Sequence, residues 1–157
     1  MNTIMLRRCL RVLVLVCLAC LFPDLRDAHA VNGLAILDAT FASQVVDRRP
    51  ARLLQSCRLG SLPGSRLWFW VRLGCTGECE KSMVAKGHVK VFVDWYLREE
   101  GILTKQTSLP LTVKGPNWRA WVAKGVKPGV WVAVVRAEDS QWVCLKARCD
   151  FTIEVKP

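Results

Sequence analysis

Apolar and polar residues alternate with a period of two along much of this chain, and clusters of Gly, Pro and Asp separate the alternating segments. The segment 89–97 is the clearest case, because its odd positions are wholly apolar and its even positions are mixed. Successive side chains of a β-strand point to opposite faces, so this pattern predicts a strand with one buried face. The same alternation at 66–73 and 151–156 predicts two further strands.

The remaining strand candidates are less regular and occupy 34–42, 51–57, 107–113, 118–124, 130–137 and 141–145. Pro110 limits the segment 107–113 to a sheet edge or a bulge. No segment of helical length shows a three-four periodicity, so we predict that 74–86 is a loop that carries cysteines. About eight strands spaced by roughly 8–12 residues are typical of a sandwich. We therefore expect an all-β, immunoglobulin-like antiparallel β-sandwich.

The N-terminal 30 residues have the pattern of an export signal. Arg7, Arg8 and Arg11 precede an apolar run at 12–22, and Ala28-His29-Ala30 supplies small residues at the two positions that signal peptidase recognises. The run has 11 residues, whereas a membrane-spanning helix needs roughly 20. We expect a signal peptide over 1–30 and a single domain over 31–157, with no transmembrane helix after cleavage and a periplasmic or secreted location.

A lipoprotein is a minor alternative for the same segment. Leu18-Ala19-Cys20 resembles the end of a lipobox, although Cys17 stands where that motif has Leu. In that case Cys20 would carry the lipid anchor.

Removal of the signal changes the composition only modestly. The formal charge falls from +10 to +8, five of eight cysteines remain, and all seven tryptophans remain. A chain with this apolar content is not expected to be disordered. Because the chain is expected to be exported, a cytosolic enzyme is also excluded. The bases are spread over every segment and no nucleic-acid motif is present, so no nucleic-acid partner is expected.

Export into an oxidising compartment makes disulfides the default state of the five remaining cysteines. Cys144 and Cys149 flank four residues, and a hairpin would place them opposite each other. For the other three, we favour Cys75 with Cys79, or else Cys57 with one of them.

The alternative for the same cysteines is a metal site formed by Cys57, Cys75, Cys79 and His88. Their spacing is poor for zinc, so structural disulfides are favoured and no metal or cofactor is expected. His88 is the one histidine left after cleavage, and Asp94 lies six residues further along the same strand, at roughly 3.3 Å per residue. They are too far apart for a catalytic pair, so no catalytic residue is predicted.

Tryptophans beside basic residues are the strongest functional signal. Exposed indoles stack on sugar rings or receive cations, and Arg beside Trp is a common recognition pair. Seven indoles exceed what the core of one sandwich needs. The predicted binding residues are Trp68, Trp70, Trp118, Arg119, Trp121 and Lys124.

Three patches of this sequence resemble the bacterial domain of unknown function 2914 family. They are Ala39-Thr40-Phe41 with 45–50, Leu67-Trp68-Phe69-Trp70 with Asp94-Trp95-Tyr96, and the Trp-Arg-x-Trp-x-x-Lys core at 118–124 with Gly129-Val130-Trp131. The resemblance implies a small exported β-sandwich and carries no established activity.

The sequence thus predicts an exported, non-enzymatic β-sandwich that binds a protein or a glycan in the cell envelope. The alternative is a small disulfide- or metal-containing accessory protein or enzyme that uses Cys75, Cys79 and His88.

Overall fold

The structure is a computed structural model that describes residues 33–139, 141, 143 and 148–157. Apart from two short 3₁₀ helices at Leu59–Ser61 and Pro63–Ser65, nine strands and one short α-helix make up the regular structure of these residues. In chain order they are β1 (Leu34–Val46), β2 (Arg49–Leu54), β3 (Ser56–Arg58), β4 (Arg66–Cys75), α1 (Glu78–Lys86), β5 (Val89–Glu99), β6 (Ile102–Val113), β7 (Asn117–Gly125), β8 (Gly129–Ala137) and β9 (Asp150–Lys156). None of the described helices is long and apolar enough to cross a membrane.

The strands form two sheets, which confirms the predicted all-β sandwich. The four-stranded sheet has the order β2-β1-β4-β7, and the five-stranded sheet has the order β3-β9-β8-β5-β6. Neighbouring strands are antiparallel except for β3 and β9, which are parallel. The segment predicted as one strand at 51–57 is two, because Leu54 pairs with Phe41 in one sheet and Ser56 pairs with Glu154 in the other.

Aromatic contacts between the two inward faces hold the sheets together. Leu67, Phe69, Val71 and Leu73 of β4 are fully buried, as their alternation predicts. The ring of Phe69 lies 5.3 Å from Phe41, 6.3 Å from Trp95 and 5.3 Å from Phe151, centroid to centroid. Such tilted and edge-on pairs contribute about 0.5–1.5 kcal/mol each beyond the burial of their area.

Two tight hairpin turns use residues with positive φ. Asp47 and Arg48 (φ 49° and 61°) connect β1 to β2, and Glu100 and Gly101 (φ 50° and 82°) connect β5 to β6. Two-residue hairpin loops prefer this left-handed geometry because it matches the twist of the strands. Strand β6 is an edge strand, as Pro110 predicted, because a proline is tolerated where one side of the strand has no neighbour.

The prediction of a loop over 74–86 is wrong, because helix α1 lies there. Its first turn is acidic, Lys81 pairs with Glu78, and Gly87 ends the helix in the left-handed conformation. All three features stabilise a short helix. Cys79 is its one buried residue, so the helix has no apolar stripe that a search for periodicity could detect.

Asp94 is a buried carboxylate on the outward side of β5. Ser108 donates a hydrogen bond to its Oδ1 at 2.5 Å, and Arg136 Nε donates to its Oδ2 at 3.1 Å. The ammonium of Lys105 lies 3.1 Å from the same Oδ2. Burial raises the pKa of Asp94, but the hydrogen bonds from Ser108, Lys105 and Arg136 and the charge of Lys105 outweigh it, so the net pKa lies below its ordinary value.

We expect Asp94→Asn to lower the free energy of unfolding at pH 7 by about 2 kcal/mol, because it leaves two cations without their anion. A lowered pKa in the folded state stabilises the protein above the unfolded pKa of about 3.9, and this stabilisation is lost as pH falls through the folded pKa. Urea unfolding at pH 7, 4 and 2.5 measures the difference between wild type and variant, which should shrink at low pH.

Glu154→Gln is the control, since it removes an exposed carboxylate whose ion pair with Lys156 spans 3.7 Å. It should change stability by less than about 0.5 kcal/mol. An Asp94→Asn deficit that stays constant down to pH 2.5 would contradict this account.

Candidate functional site

The two predicted Trp-containing segments lie on neighbouring strands of the four-stranded sheet. Trp70 of β4 is the cross-strand partner of Trp121 on β7, and Arg72 is the partner of Arg119. Directly opposed residues of an antiparallel pair share one face. Since Phe69 and Val71 point into the core, these four side chains point outward, together with Trp68. We call these five residues the Trp–Arg face.

The indoles of this face differ from the core aromatics in their surroundings. Trp70 is buried, whereas Trp68 and Trp121 are half-buried. Among the described residues, no ring stacks on any of these three indoles, while Trp95 and Trp131 lie 6.4 Å apart in the core. Trp68 and Trp121 therefore keep part of their ring surface accessible, whereas Trp70 is covered.

The turn between β1 and β2 lies against the Trp–Arg face. Trp70 Nε1 donates a hydrogen bond to the backbone carbonyl of Arg48 at 3.0 Å. The guanidinium of Arg48 lies 5.6 Å from the ring centroid of Trp118, a cation–π distance. β1 pairs with β4 as far as Ala42, and beyond that residue it pairs with β2 alone. The turn between β1 and β2 can therefore fold over the outward face of β4. The buried state of Trp70 on an outward face is consistent with this covering turn.

A cavity of about 250 Å³ opens beside the turn. Its walls are formed by Arg48, Asn117, Trp118 and Arg119. Both guanidiniums and the amide of Asn117 are hydrogen-bond donors, and an indole supplies the apolar wall. The cavity therefore combines positive charge with a flat apolar surface.

Charge is distributed unequally between the two sheets. The four-stranded sheet and its β1–β2 turn contain seven bases and two acids. Among the described residues, none of these seven bases forms an ion pair; the pairs lie instead on α1, on the five-stranded sheet and in its turns. The bases are spread over both sheets, as the sequence suggested, but the four-stranded sheet has few acids and none of its arginines is ion-paired in the described residues.

Two of the six predicted binding residues point away from the Trp–Arg face. Lys124 is the partner of Leu67, its Nζ lies 5.5 Å from the ring centroid of Trp131, and it donates to the carbonyl of Gly125. Trp118 packs partly against the core, although its ring also lines the small cavity. Both residues stand at even positions of β7, and the even positions of this strand face inward.

Two arginines join the site beyond those predicted. Arg72 could have been found from sequence, since alternation places it on the same side of β4 as Trp68 and Trp70. Arg48 could not, because its approach to Trp118 depends on the β1–β2 turn folding over the sheet.

The cysteines are not part of the Trp–Arg face. Cys75 and Cys79 form a disulfide with their Cα atoms 5.4 Å apart. Cys57 is a free, buried thiol whose pKa is raised by burial, so the alternative pairing of Cys57 is not formed. Cys149 is disulfide-bonded; its predicted partner Cys144 lies outside the described residues.

A cavity of about 740 Å³ beside α1 includes both Cys79 and His88 in its wall. The disulfide occupies the sulfurs of Cys75 and Cys79, so in this state they cannot act as thiolate ligands. Among the described residues, no three His, Cys, Asp or Glu side chains are grouped as a metal site would require. Asp94 is held by Ser108, Arg136 and Lys105 rather than by His88.

Comparison with known proteins gives a match to one family model and no function. Residues 88–153 match the family model described as "Protein of unknown function (DUF2914)", which supports the resemblance that the sequence indicates. The match runs from the start of β5 into β9 and includes β7, whereas β1, β2 and β4 lie outside it. No curated protein matches the chain.

We expect Trp70→Phe to lower the free energy of unfolding by about 1 kcal/mol more than Trp121→Phe does. Both variants lose an indole from the same face, but only Trp70 donates a hydrogen bond to the turn among the described contacts. Urea unfolding gives the stabilities, and limited trypsin digestion should cut faster between Arg48 and Arg49 in Trp70→Phe. Equal cleavage rates in the two variants would show that the hydrogen bond does not hold the turn.

Proposed function

We propose that this protein is an exported, non-enzymatic binding domain of the bacterial cell envelope, and that the Trp–Arg face recognises its partner, a glycan or a protein. The observation that carries the proposal is the coexistence of half-buried indoles and unpaired arginines on one open sheet face. The partner would cover the apolar ring surface and supply the missing anions.

The other sheet shows what an ordinary solvated sheet face looks like in this protein. On its outward side Arg136 pairs with Asp94 and lies over the ring of Phe92, 4.7 Å from the centroid. Arg136 and Phe92 are thus engaged by contacts within the chain. Arg72 and Arg119 of the Trp–Arg face have no such partners in the described residues, and interfaces are enriched in Trp and Arg.

Export is supported by two independent features. The N-terminal pattern of bases, an apolar run and Ala28-His29-Ala30 is that of a cleavable signal. The Cys75–Cys79 disulfide agrees with an oxidising compartment, since thiols stay reduced in the cytosol of most organisms.

A non-enzymatic role is supported by how the candidate catalytic groups are used. The carboxylate of Asp94 is hydrogen-bonded or ion-paired to three neighbouring side chains. Cys75 and Cys79 are oxidised, and Cys57 is buried with a raised pKa, which disfavours the nucleophilic thiolate. These contacts favour a stabilising role over a catalytic one for the three groups.

The proposal predicts that the protein binds to bacterial envelope fragments and that the double variant Trp68→Ala/Trp121→Ala binds at least tenfold more weakly. Loss of two stacking indoles at the centre of an interface should cost more than the 1.4 kcal/mol that corresponds to tenfold. Quantitative co-sedimentation of the complete chain with sheared, washed envelope fragments measures the dissociation constant.

The matched control is Ile102→Ala/Leu103→Ala. It removes two exposed apolar side chains, 69% and 46% accessible, from the hairpin of the other sheet. This control should bind like wild type. Wild-type protein that stays in the supernatant, or equal losses in the two double variants, would refute the proposal.

A further inference from the structure

We infer that the cavity between Arg48 and Arg119 binds the carboxylate of an acidic sugar, so that the ligand of the Trp–Arg face is an acidic polysaccharide. This inference rests on the proposed function and specifies its ligand class. The carboxylate binds in one defined subsite, which is lined by Arg48, Asn117, Trp118 and Arg119.

The size of the cavity suits one sugar unit of a longer chain. Its volume of about 250 Å³ is below the roughly 300–1,000 Å³ of pockets that enclose a whole drug-sized ligand. Only part of the ligand would therefore enter, and the rest would lie across the adjoining sheet surface. Trp121 and Trp68 are half-buried there and carry no stacked ring from the described chain.

The electrostatics of the cavity call for an anion. Neither Arg48 nor Arg119 forms an ion pair in the described residues, and neither do Asp38 and Asp47, the two acids of this sheet. A guanidinium presents a planar fork of N–H donors that matches a carboxylate in a bidentate geometry. Two such groups beside one amide donor provide enough hydrogen bonds for both carboxylate oxygens.

The aromatic part of the site favours a sugar over other anions. Trp118, with Arg48 over its ring, forms one wall of the cavity, and the half-buried Trp121 lies two residues beyond Arg119 on the adjoining sheet face. An indole there can bury the apolar face of a sugar ring while polar groups remain at the edge of the ring. A sugar acid carries both an apolar ring face and a carboxylate within a single sugar unit. A phosphate or an acidic side chain supplies only the anion.

The subsite is also held in place before ligand arrives. The hydrogen bond from Trp70 Nε1 to the carbonyl of Arg48 fixes the backbone of the turn, and the ring of Trp118 holds the Arg48 guanidinium at 5.6 Å. Fixing a long side chain in advance reduces the entropy lost on binding. Arg48 thus acts as a positioned ligand contact rather than as a loose surface charge.

Titration of the complete protein with polygalacturonate, followed by calorimetry and by tryptophan fluorescence, tests the inference. We expect binding to polygalacturonate and none to neutral dextran. Arg48→Gln and Arg119→Gln should each weaken binding at least tenfold, and Arg48→Lys should also weaken it because Lys keeps the charge but lacks the fork.

Arg98→Gln is the matched control, because it removes the same charge from an exposed position on β5 of the other sheet, where Arg98 has no ion pair in the described residues. It should bind like wild type. Equal weakening by Arg98→Gln and Arg119→Gln would show attraction by net charge alone and would overturn the inference.

Three further probes separate the sources of the anion. Tighter, Arg48-dependent binding of polyglutamate would overturn the inference in favour of an acidic protein. Tighter, Arg48-dependent binding of dextran sulfate, or of vesicles containing anionic lipid, would overturn it in favour of a sulfate or a membrane surface. If polygalacturonate does not bind while envelope fragments still bind in a Trp68- and Trp121-dependent manner, the inference fails and the proposed function stands.

Discussion

The packing of Phe69 between the sheets is the contact on which the rest of the structure depends. Its ring meets Phe41 of its own sheet and Trp95 and Phe151 of the opposite one. Because side chains alternate along a strand, fixing Phe69 inward also fixes Trp68 and Trp70 outward. A slip of one residue would exchange the two faces of β4 and expose the core. The core contact therefore also determines the surface.

The surface that results differs between the sheets for an electrostatic reason. On the five-stranded sheet, Asp94 is buried and must be compensated, so Arg136, Lys105 and Ser108 converge on it. The four-stranded sheet has no buried acid to organise its bases. Its guanidiniums remain free of ion pairs within the described chain, and the β1–β2 turn holds one of them against Trp118. This asymmetry is the reason why we propose the four-stranded sheet, rather than the five-stranded one, as the binding face.

The accuracy of sequence-based prediction varied with the range of the interactions involved. Alternation correctly assigned the buried faces of β4, β5 and β9, because each depends only on neighbours along the strand. It failed at α1, whose helix is held by its caps and a disulfide rather than by an apolar stripe. Lys124 was grouped with Trp121 as a binding residue because the two are close in sequence. Their spacing of three residues places them on opposite faces of β7.

Local alternation and residue chemistry are enough to predict the fold class, the strand faces and the set of aromatic and basic side chains on them. Which of these side chains meet depends on the tertiary structure. Trp70 and Trp121 are 51 positions apart and become neighbours through the register of β4 with β7, and Arg48 reaches Trp118 because a distant turn folds over the sheet. Hydrogen-bonded register and core packing are long-range constraints, and no local pattern contains them.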